Sequence, residues 1–550
     1  MKFLSWLDAR CGGVGIEKFF VTGWRGTLAI NVFVLVALFF AFGFWWPYWR
    51  IGDMDMWMVY EAFLFNDGLR QEYFDHPAYL TILLLGDWFS LLHHVGLLPA
   101  HSLSELPPVN DTFASGLAWM RATQAARVLL FLIGLGFLAS FAYLTRALVK
   151  NWRIAALATF ALAYSGGFMM ESRIVRTELI AAGCAYAALL VTLVAAQRPA
   201  SNWRPFMVGI ATFCATLAML NKVHILFVVV AIAPLAFFFG QPSQVSPPAW
   251  HSRGRAMAMA GLFIAAAALA ALAARSIVMS GLFDPTVLAA RVRIFGTGFP
   301  LYQTMIGIWV CVWIAAYAVQ FRVGLLESIS VAATVVAGVT LGLLVLAIRP
   351  DVGNATVVMN PLEKMLAFAA SSAPDLMSGG GLSGTTFVQA LLDGFGLLLA
   401  RQTFFLSSSP RPTIFLEWAV IAAMVFAWRQ GDRRTVFQAG LLLAAGWAID
   451  LIGTFRGLKL EYFIITDPLT IIAGVWLLVR IPALQTHRWT NPVVFALLAV
   501  TVCVGLAEPV KHSFKRDMPL DFCNPHIPIP SGSAPSRFAP VDAASSERQQ

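Results

Sequence analysis

Long apolar stretches separated by short charged or proline- and glycine-rich breaks recur along this chain, and they constrain its fold more than any other feature. Of 550 residues, 59% are hydrophobic and 12% are charged, and the mean hydropathy is +0.73. Soluble domains carry about 25% charged residues, so this composition excludes a soluble protein of such length. It predicts an integral membrane protein.

A bilayer core requires about 20 apolar residues per helix. On this criterion we predict an all-α polytopic membrane protein of about 13 transmembrane helices. The predicted spans are 27–48, 118–147, 153–170, 177–197, 205–220, 223–240, 256–280, 303–320, 328–348, 413–428, 436–453, 462–479 and 492–507. Between the first two spans, an amphipathic stretch at 57–66 and an apolar one at 78–99 are predicted to be helices lying along the membrane face.

The positions of the basic residues predict the topology. Segment 1–25 has several lysines and arginines but no signal-peptide cleavage site, which indicates a cytoplasmic interfacial segment. The membrane domain is then 26–507, in an inner (plasma) membrane. Its predicted external parts, on the periplasmic side, are a first loop at 50–117, a loop at 349–412 and a largely disordered tail at 508–550.

The formal charge of +9 favours an anionic lipid as partner over nucleic acid, because the basic residues are scattered between spans. Several cations fall on the predicted external side, against the usual bias, and this indicates an anionic partner there. The six cysteines show neither a disulfide framework nor a zinc spacing.

Six acidic residues lie in the short stretch between Arg50 and Pro77, just after the first span. A carboxylate at the water side of a cavity can accept the proton of an acceptor hydroxyl as a new bond forms, which makes Asp53 or Asp55 a candidate general base. The alternative, equally compatible with composition, is that these acids only solvate an external loop.

Asp53, Trp57, Gly68 and the block Tyr73-Phe-Asp-His-Pro77 follow the first span in order. Further blocks are Glu171-Ser-Arg-Ile-Val-Arg-Thr-Glu178, Leu220-Asn-Lys222, and Arg456-Gly-Leu-Lys459 with Tyr462 and Pro468. In their order along 25–480, these motifs resemble those of the GT-C membrane glycosyltransferases, close to the protein O-mannosyltransferase and lipid A aminoarabinose transferase group. Departures are Glu178 for the usual Asp, Met54 where an acid is expected, and Pro77-Ala for Pro-Pro.

This resemblance implies an inverting transfer of a sugar from a polyprenyl-phosphate carrier to a lipid, glycan or protein acceptor at the outer face. It implies Asp53 or Asp55 as base, and cations that stabilise the leaving phosphate. Those cations are Arg173, Arg176, Lys222, Arg456 and Lys459. For each of them, the structural alternative is that the long side chain only extends its charge to the membrane interface. Groups for substrate binding or support are Trp57, Tyr73, Asp75, His76, Glu178 and Tyr462.

No cofactor is expected. Asp75 and His76 with Asp53 or Asp55 have the donor types for a divalent cation, but a carboxylate-His-Pro turn also serves as a hydrogen-bonded support. His93 and His94 are adjacent and should face different ways on a helix, which makes them poor joint ligands. For Glu178, favourable interaction with a helix dipole is a sufficient alternative.

Two other functions compete with the enzyme. A transporter or flippase of a lipid-linked glycan needs charges along a path through the bilayer, whereas the span interiors look nearly free of charge apart from Arg275 and Asp450 near span ends. Asp450, like Asp284 and Asp351, is interpreted as a solvated or interfacial acid. A non-catalytic scaffold would tolerate loss of both Asp53 and Asp55.

Overall fold

The computed structural model describes residues 24–51, 55–69, 71, 78–198, 203–241, 299–348, 413–453, 462–486 and 490–514, with isolated positions in 254–272 and 392–399. Every regular element in these ranges is helical, which confirms the all-α class. The α-helices whose bounds are described are α1 (Trp24–Phe42), α2 (Trp57–Asn66), α3 (Tyr79–His94), α4 (Thr112–Val149), α5 (Trp152–Ala163), α6 (Gly166–Glu171), α7 (Glu178–Ala196), α8 (Arg204–Met219), α9 (Leu226–Phe239), α10 (Phe299–Gln320), α11 (Leu325–Leu343), α12 (Ile414–Arg429), α13 (Arg433–Gly453), α14 (Phe463–Arg480), α15 (Pro482–Thr486) and α16 (Thr490–Phe514).

By length and composition, six helices within the described ranges are able to cross a membrane. They are Arg25–Phe42, Thr112–Val149, Glu178–Ala196, Leu325–Leu343, Phe463–Arg480 and Thr490–Lys511. Four shorter apolar helices lie at Trp152–Ala163, Arg204–Met219, Val223–Phe239 and Gly307–Gln320. Helices thus stand where most spans were predicted, but the number 13 is not confirmed.

The stretch predicted as one span at 153–170 is two helices. The chain turns at Tyr164 and Ser165, and the Ser165 hydroxyl accepts the N–H of Phe168 to cap α6. Gly167 lies directly on α14, where a Cβ would come within 2.3 Å of the Ile464 nitrogen. This close approach orients α6 toward the connection 172–177, which leads into α7.

The two stretches are helices, α2 and α3, while their position along the membrane face stays a prediction. The prediction that 57–66 is amphipathic is wrong. Eight of the ten residues of α2 are buried, including Tyr60 and Glu61. Gly68 adopts a positive φ of 72° just after α2, a conformation that glycine reaches without strain. Helix α2 is therefore an internal element of the fold.

Helix α4 has 38 residues and is about 57 Å long, well beyond the thickness of a bilayer core. The Asp111 carboxylate caps its first turn by accepting the Ala114 N–H at 3.0 Å. The helix ends at Lys150, whose φ is +56°, and Asn151 then caps α5. Since α4 packs along α7 and α5, its buried face forms one wall of the site described below.

The last described helix, α16, continues to Phe514, beyond the predicted span end at 507. Segments 1–23 and 515–550, and most of 349–412, lie outside the described residues.

Candidate functional site

A group of buried ionisable side chains gathers around the connection 172–177. This group, called the charged cluster below, draws residues from the start of α2, from α4, from the α6–α7 region and from the connection between α8 and α9. Each member is at most 5% exposed. The members are Asp55, Arg127, Glu171, Arg173, Arg176, Glu178 and Lys222.

Asp55 and Arg127 form the first part of the charged cluster. Both side chains are fully buried. The Asp55 Oδ2 atom accepts from Nη2 of Arg127 at 2.5 Å and from Nε at 3.0 Å, and Arg127 also donates to the carbonyls of Trp46 and Pro47. The other Asp55 oxygen accepts the N–H of Val175 at 2.6 Å. This ion pair therefore ties α4 and the segment after α1 to the connection 172–177.

Glu178 and Lys222 form the second part. Lys222 Nζ lies 2.7 Å from Glu178 Oε1, and Arg176 Nε lies 3.8 Å from Oε2. Burial lowers the pKa of Lys222, and the charge of Glu178 partly offsets this shift. The negative charge of Glu171 acts on Lys222 in the same direction as that of Glu178. Glu178 is the first residue of α7, but its two cationic neighbours account for its placement better than a helix dipole does.

Asn221 holds the two connections together. Its side-chain Nδ2 donates to the Thr177 carbonyl at 2.6 Å, and its Oδ1 accepts from the backbone N–H and the hydroxyl of Thr81, each at 3.0 Å. The carbonyls of Asn221 and Leu220 accept the N–H groups of Ala78 and Tyr79, which join this connection to the start of α3. The Leu220-Asn-Lys222 motif is therefore fixed from both sides.

Arg173 has no carboxylate within ion-pair distance among the described residues. The other three cations of the charged cluster each have one. Its Nη1 donates to the Met169 carbonyl at 2.5 Å, and its Nη2 lies 3.6 Å from the Met169 sulfur. Burial lowers the pKa of this guanidinium to about 9, which leaves it charged at neutral pH. A buried cation of this kind is a candidate partner for an anionic ligand.

Tyr462, from the last predicted motif, reaches the charged cluster. Lys222 Nζ lies 5.8 Å from the centre of its ring, a distance typical of a cation–π contact. The His224 ring stacks on the same tyrosine with centroids 5.5 Å apart. Trp57, predicted as a substrate-binding or support residue, packs edge-on against Tyr60 in α2. Motifs that lie hundreds of residues apart in the sequence thus meet at one place.

Part of the predicted site lies outside the described residues. Segments 52–54, 72–77 and 454–461 lie outside the described residues. The predicted site residues in those segments are Asp53, Tyr73, Asp75, His76, Arg456 and Lys459.

Several buried ionisable groups inside helices were not predicted from the sequence. Arg127 lies within α4, Glu417 within α12 and Asp467 within α14, and all are buried. Glu417 accepts from the Thr470 hydroxyl and Asp467 from the Thr413 hydroxyl. The interpretation of span interiors as nearly free of charge is therefore wrong. Of the two alternatives given for Asp450, a solvated acid is wrong, since the residue is 2% exposed, and an interfacial acid stays a prediction. In the sequence, the feature that could have predicted these buried groups is a charged residue inside an apolar stretch, since such a residue usually has a functional or structural role.

Two apolar cavities among the described helices lie away from the charged cluster. One, of about 200 Å³, is lined by α7 to α11, and the other, of about 310 Å³, by residues of α5, α12, α14 and α16. No member of the charged cluster lines either cavity. Their walls suit hydrocarbon rather than a polar ligand.

Comparison of the chain with protein-family models, with curated proteins and with solved structures found no match.

Proposed function

We propose that the protein is an inverting glycosyltransferase, which moves a sugar from a polyprenyl-phosphate carrier to a lipid, glycan or protein acceptor at the outer face of a cell membrane. The observation that carries the proposal is that Arg176 and Lys222 converge on the buried Glu178, and that Arg173 lies buried in the same connection, 172–177. These cations come from two motifs of the GT-C resemblance, and Arg173 has no carboxylate partner among the described residues. A buried, preorganised cation stabilises a phosphate leaving group far better than a solvated one does.

In the proposed reaction, the acceptor oxygen attacks the anomeric carbon and forms a new C–O bond. The bond between that carbon and the phosphate oxygen breaks, and its electron pair leaves with the lipid phosphate. The proton of the acceptor hydroxyl passes to a carboxylate base. The negative charge that grows on the phosphate is stabilised by the cations, with Arg173 as the group that has the most capacity for a new anion.

Between the two candidate bases, the contacts of Asp55 favour Asp53. One Asp55 oxygen accepts two hydrogen bonds from Arg127, and the other accepts the Val175 N–H. These hydrogen bonds occupy three of the roughly four acceptor sites of the carboxylate, so Asp55 has little capacity left to take a proton from an acceptor hydroxyl. We therefore assign Asp55 a positioning role, which fixes the connection that carries Arg173 and Arg176.

A transporter or flippase of a lipid-linked glycan is the second candidate function. The buried acids Glu417 and Asp467, on the facing helices α12 and α14, favour it, since carboxylates inside membrane helices commonly line transport paths. Their hydrogen bonds to threonine hydroxyls are also compatible with a purely structural role.

The two functions are distinguished with purified full-length protein in liposomes, given a panel of polyprenyl-phosphate-linked hexoses and pentoses and a membrane-lipid extract as acceptor. Mass spectrometry then measures the release of free polyprenyl phosphate, and a fluorescent carrier lipid reports movement between leaflets. We expect release with the natural sequence and none with Asp53→Asn. Lipid movement without release, unaltered in Asp53→Asn, would establish the transporter and reject the enzyme.

A further inference from the structure

A second group of ionisable residues lies where α3 ends and the chain turns toward α4. It consists of His93 in the last turn of α3, His101 in the following loop, and Glu105 at the end of the 3-10 turn Leu103–Glu105. One potential ligand atom from each of the three side chains lies within 4.8 Å of the others. All three are partly accessible to solvent.

We propose that His93, His101 and Glu105 form a binding site for a divalent transition-metal ion of the zinc class, with water completing the coordination. Two imidazoles and one carboxylate are a donor set that zinc takes in proteins. The proposal is independent of glycosyl transfer, because none of the three belongs to the charged cluster or to the predicted catalytic motifs.

The tautomer of His93 suits metal binding. Its Nδ1 lies 3.1 Å from the Leu98 carbonyl oxygen, which can only accept a hydrogen bond, so Nδ1 carries the proton. The lone pair is then on Nε2, which lies 3.9 Å from Oε1 of Glu105. A backbone carbonyl that orients the distal ring nitrogen in this way is the usual support of a metal-binding histidine.

His101 and Glu105 already face each other. The Oε2 atom of Glu105 accepts from Nδ1 of His101 at 2.7 Å and from its backbone N–H at 3.0 Å. The rings of His93 and His101 stack with centroids 4.6 Å apart. In a tetrahedral zinc site, ligand atoms about 2 Å from the metal stand about 3.4 Å apart, so side-chain rotation brings these three groups into range.

The backbone that carries these ligands is held in place. Asp67, just after α2, accepts the Ser104 N–H at 2.9 Å and its hydroxyl at 2.6 Å. Asn66 donates from Nδ2 to the carbonyls of His101 and Gly86, at 2.7 and 3.0 Å. A preorganised frame of this kind lowers the entropy lost when a metal binds. The metal would fasten the loop at 95–105 to the end of α3.

His94 provides a matched control. It is adjacent to His93 on the same helix but is not part of the three-residue group. The proposed partners of His93 lie eight and twelve positions later in the chain, so the site does not need His94.

The experiment is a zinc titration of chelator-washed, full-length protein in detergent, followed by calorimetry, with X-ray absorption at the zinc edge. We expect one zinc per chain with two imidazole ligands in the natural sequence and in His94→Ala. His93→Ala, His101→Ala and Glu105→Gln should each weaken binding about tenfold or more. Zinc should also raise the melting temperature of the natural sequence but not that of the three variants.

Each remaining outcome overturns the proposal. Equal binding by the natural sequence and the three variants would indicate an adventitious ion only. Loss of binding in His94→Ala alone would assign the metal elsewhere. Absence of any saturable binding would leave the group as a hydrogen-bonded cluster without a metal. Melting curves recorded without zinc show whether each variant is folded, so misfolding is not mistaken for loss of a ligand.

Discussion

The ion pair between Asp55 and Arg127 determines how firmly the connection 172–177 is held. Both side chains are fully buried, so the loss of one charge leaves the other without its counter-ion in a medium that solvates it poorly. Asp55→Asn keeps the size of the side chain and an oxygen that can accept the Val175 N–H, so its effect reports mainly on the charge. We expect Asp55→Asn and Arg127→Met each to lower the free energy of unfolding by about 3–5 kcal/mol.

The double variant separates the ion pair from its surroundings. With both charges removed, no unpaired ion is left, so the double variant should lose less stability than the sum of the single losses, with a coupling of about 1–3 kcal/mol. Equilibrium unfolding of the full chain in mixed micelles, followed by tryptophan fluorescence, measures all three variants. Asp111→Asn is the matched control and should change stability little, since Asp111 is exposed and asparagine also caps helices well. Strictly additive losses, or single losses below about 1 kcal/mol, would show that Asp55 and Arg127 do not depend on each other for charge compensation.

Three further predictions concern packing and the roles within the charged cluster. Gly167→Ala places a Cβ 2.3 Å from the backbone nitrogen of Ile464 and should destabilise the protein by about 1–3 kcal/mol. Gly136→Ala is the control, because its Cβ meets open space and should not change stability. Equal melting temperatures for the two variants would contradict the close approach of Gly167 to α14. Lys222→Met should impair folding because it leaves the buried Glu178 without its closest cation. Adding Glu178→Gln to Lys222→Met should restore the yield of folded protein but not donor-dependent turnover. Recovered turnover in the double variant would show that Lys222 has only a structural role. Asp55→Asn, corrected for its folded fraction, should retain measurable transfer while Asp53→Asn retains none, and the reverse order would make Asp55 the base.

The sequence predicts the helices well, because an apolar run of sufficient length has few other ways to satisfy its backbone inside a membrane. It predicts the break at Ser165 poorly, since the hydrophobic pattern continues through it and the turn depends on contact of Gly167 with α14. The amphipathic interpretation of α2 was wrong because burial on all sides comes from neighbours that are distant in sequence.

In the candidate site, Arg176, Glu178, Lys222 and Tyr462 come from three separate motifs of the sequence and lie together in the structure. Arg127 was missed because it belongs to no motif and its partner, Asp55, lies 72 residues earlier. The group of His93, His101 and Glu105 was missed for a similar reason, since only the turn after α3 brings its members together.

In the proposed reaction, the charged cluster binds the phosphate of a polyprenyl carrier. The most direct measurement compares the affinities of the purified protein for polyprenyl phosphate and for the uncharged polyprenol of the same length. A charge-assisted contact contributes about 1.5–3 kcal/mol, so the phosphate should bind about tenfold to a hundredfold more tightly. Arg173→Gln should remove most of this difference, while Arg121→Gln, at an exposed arginine of α4, should preserve it. Equal affinity for the two lipids, or a preference that Arg173→Gln leaves intact, would contradict the claim.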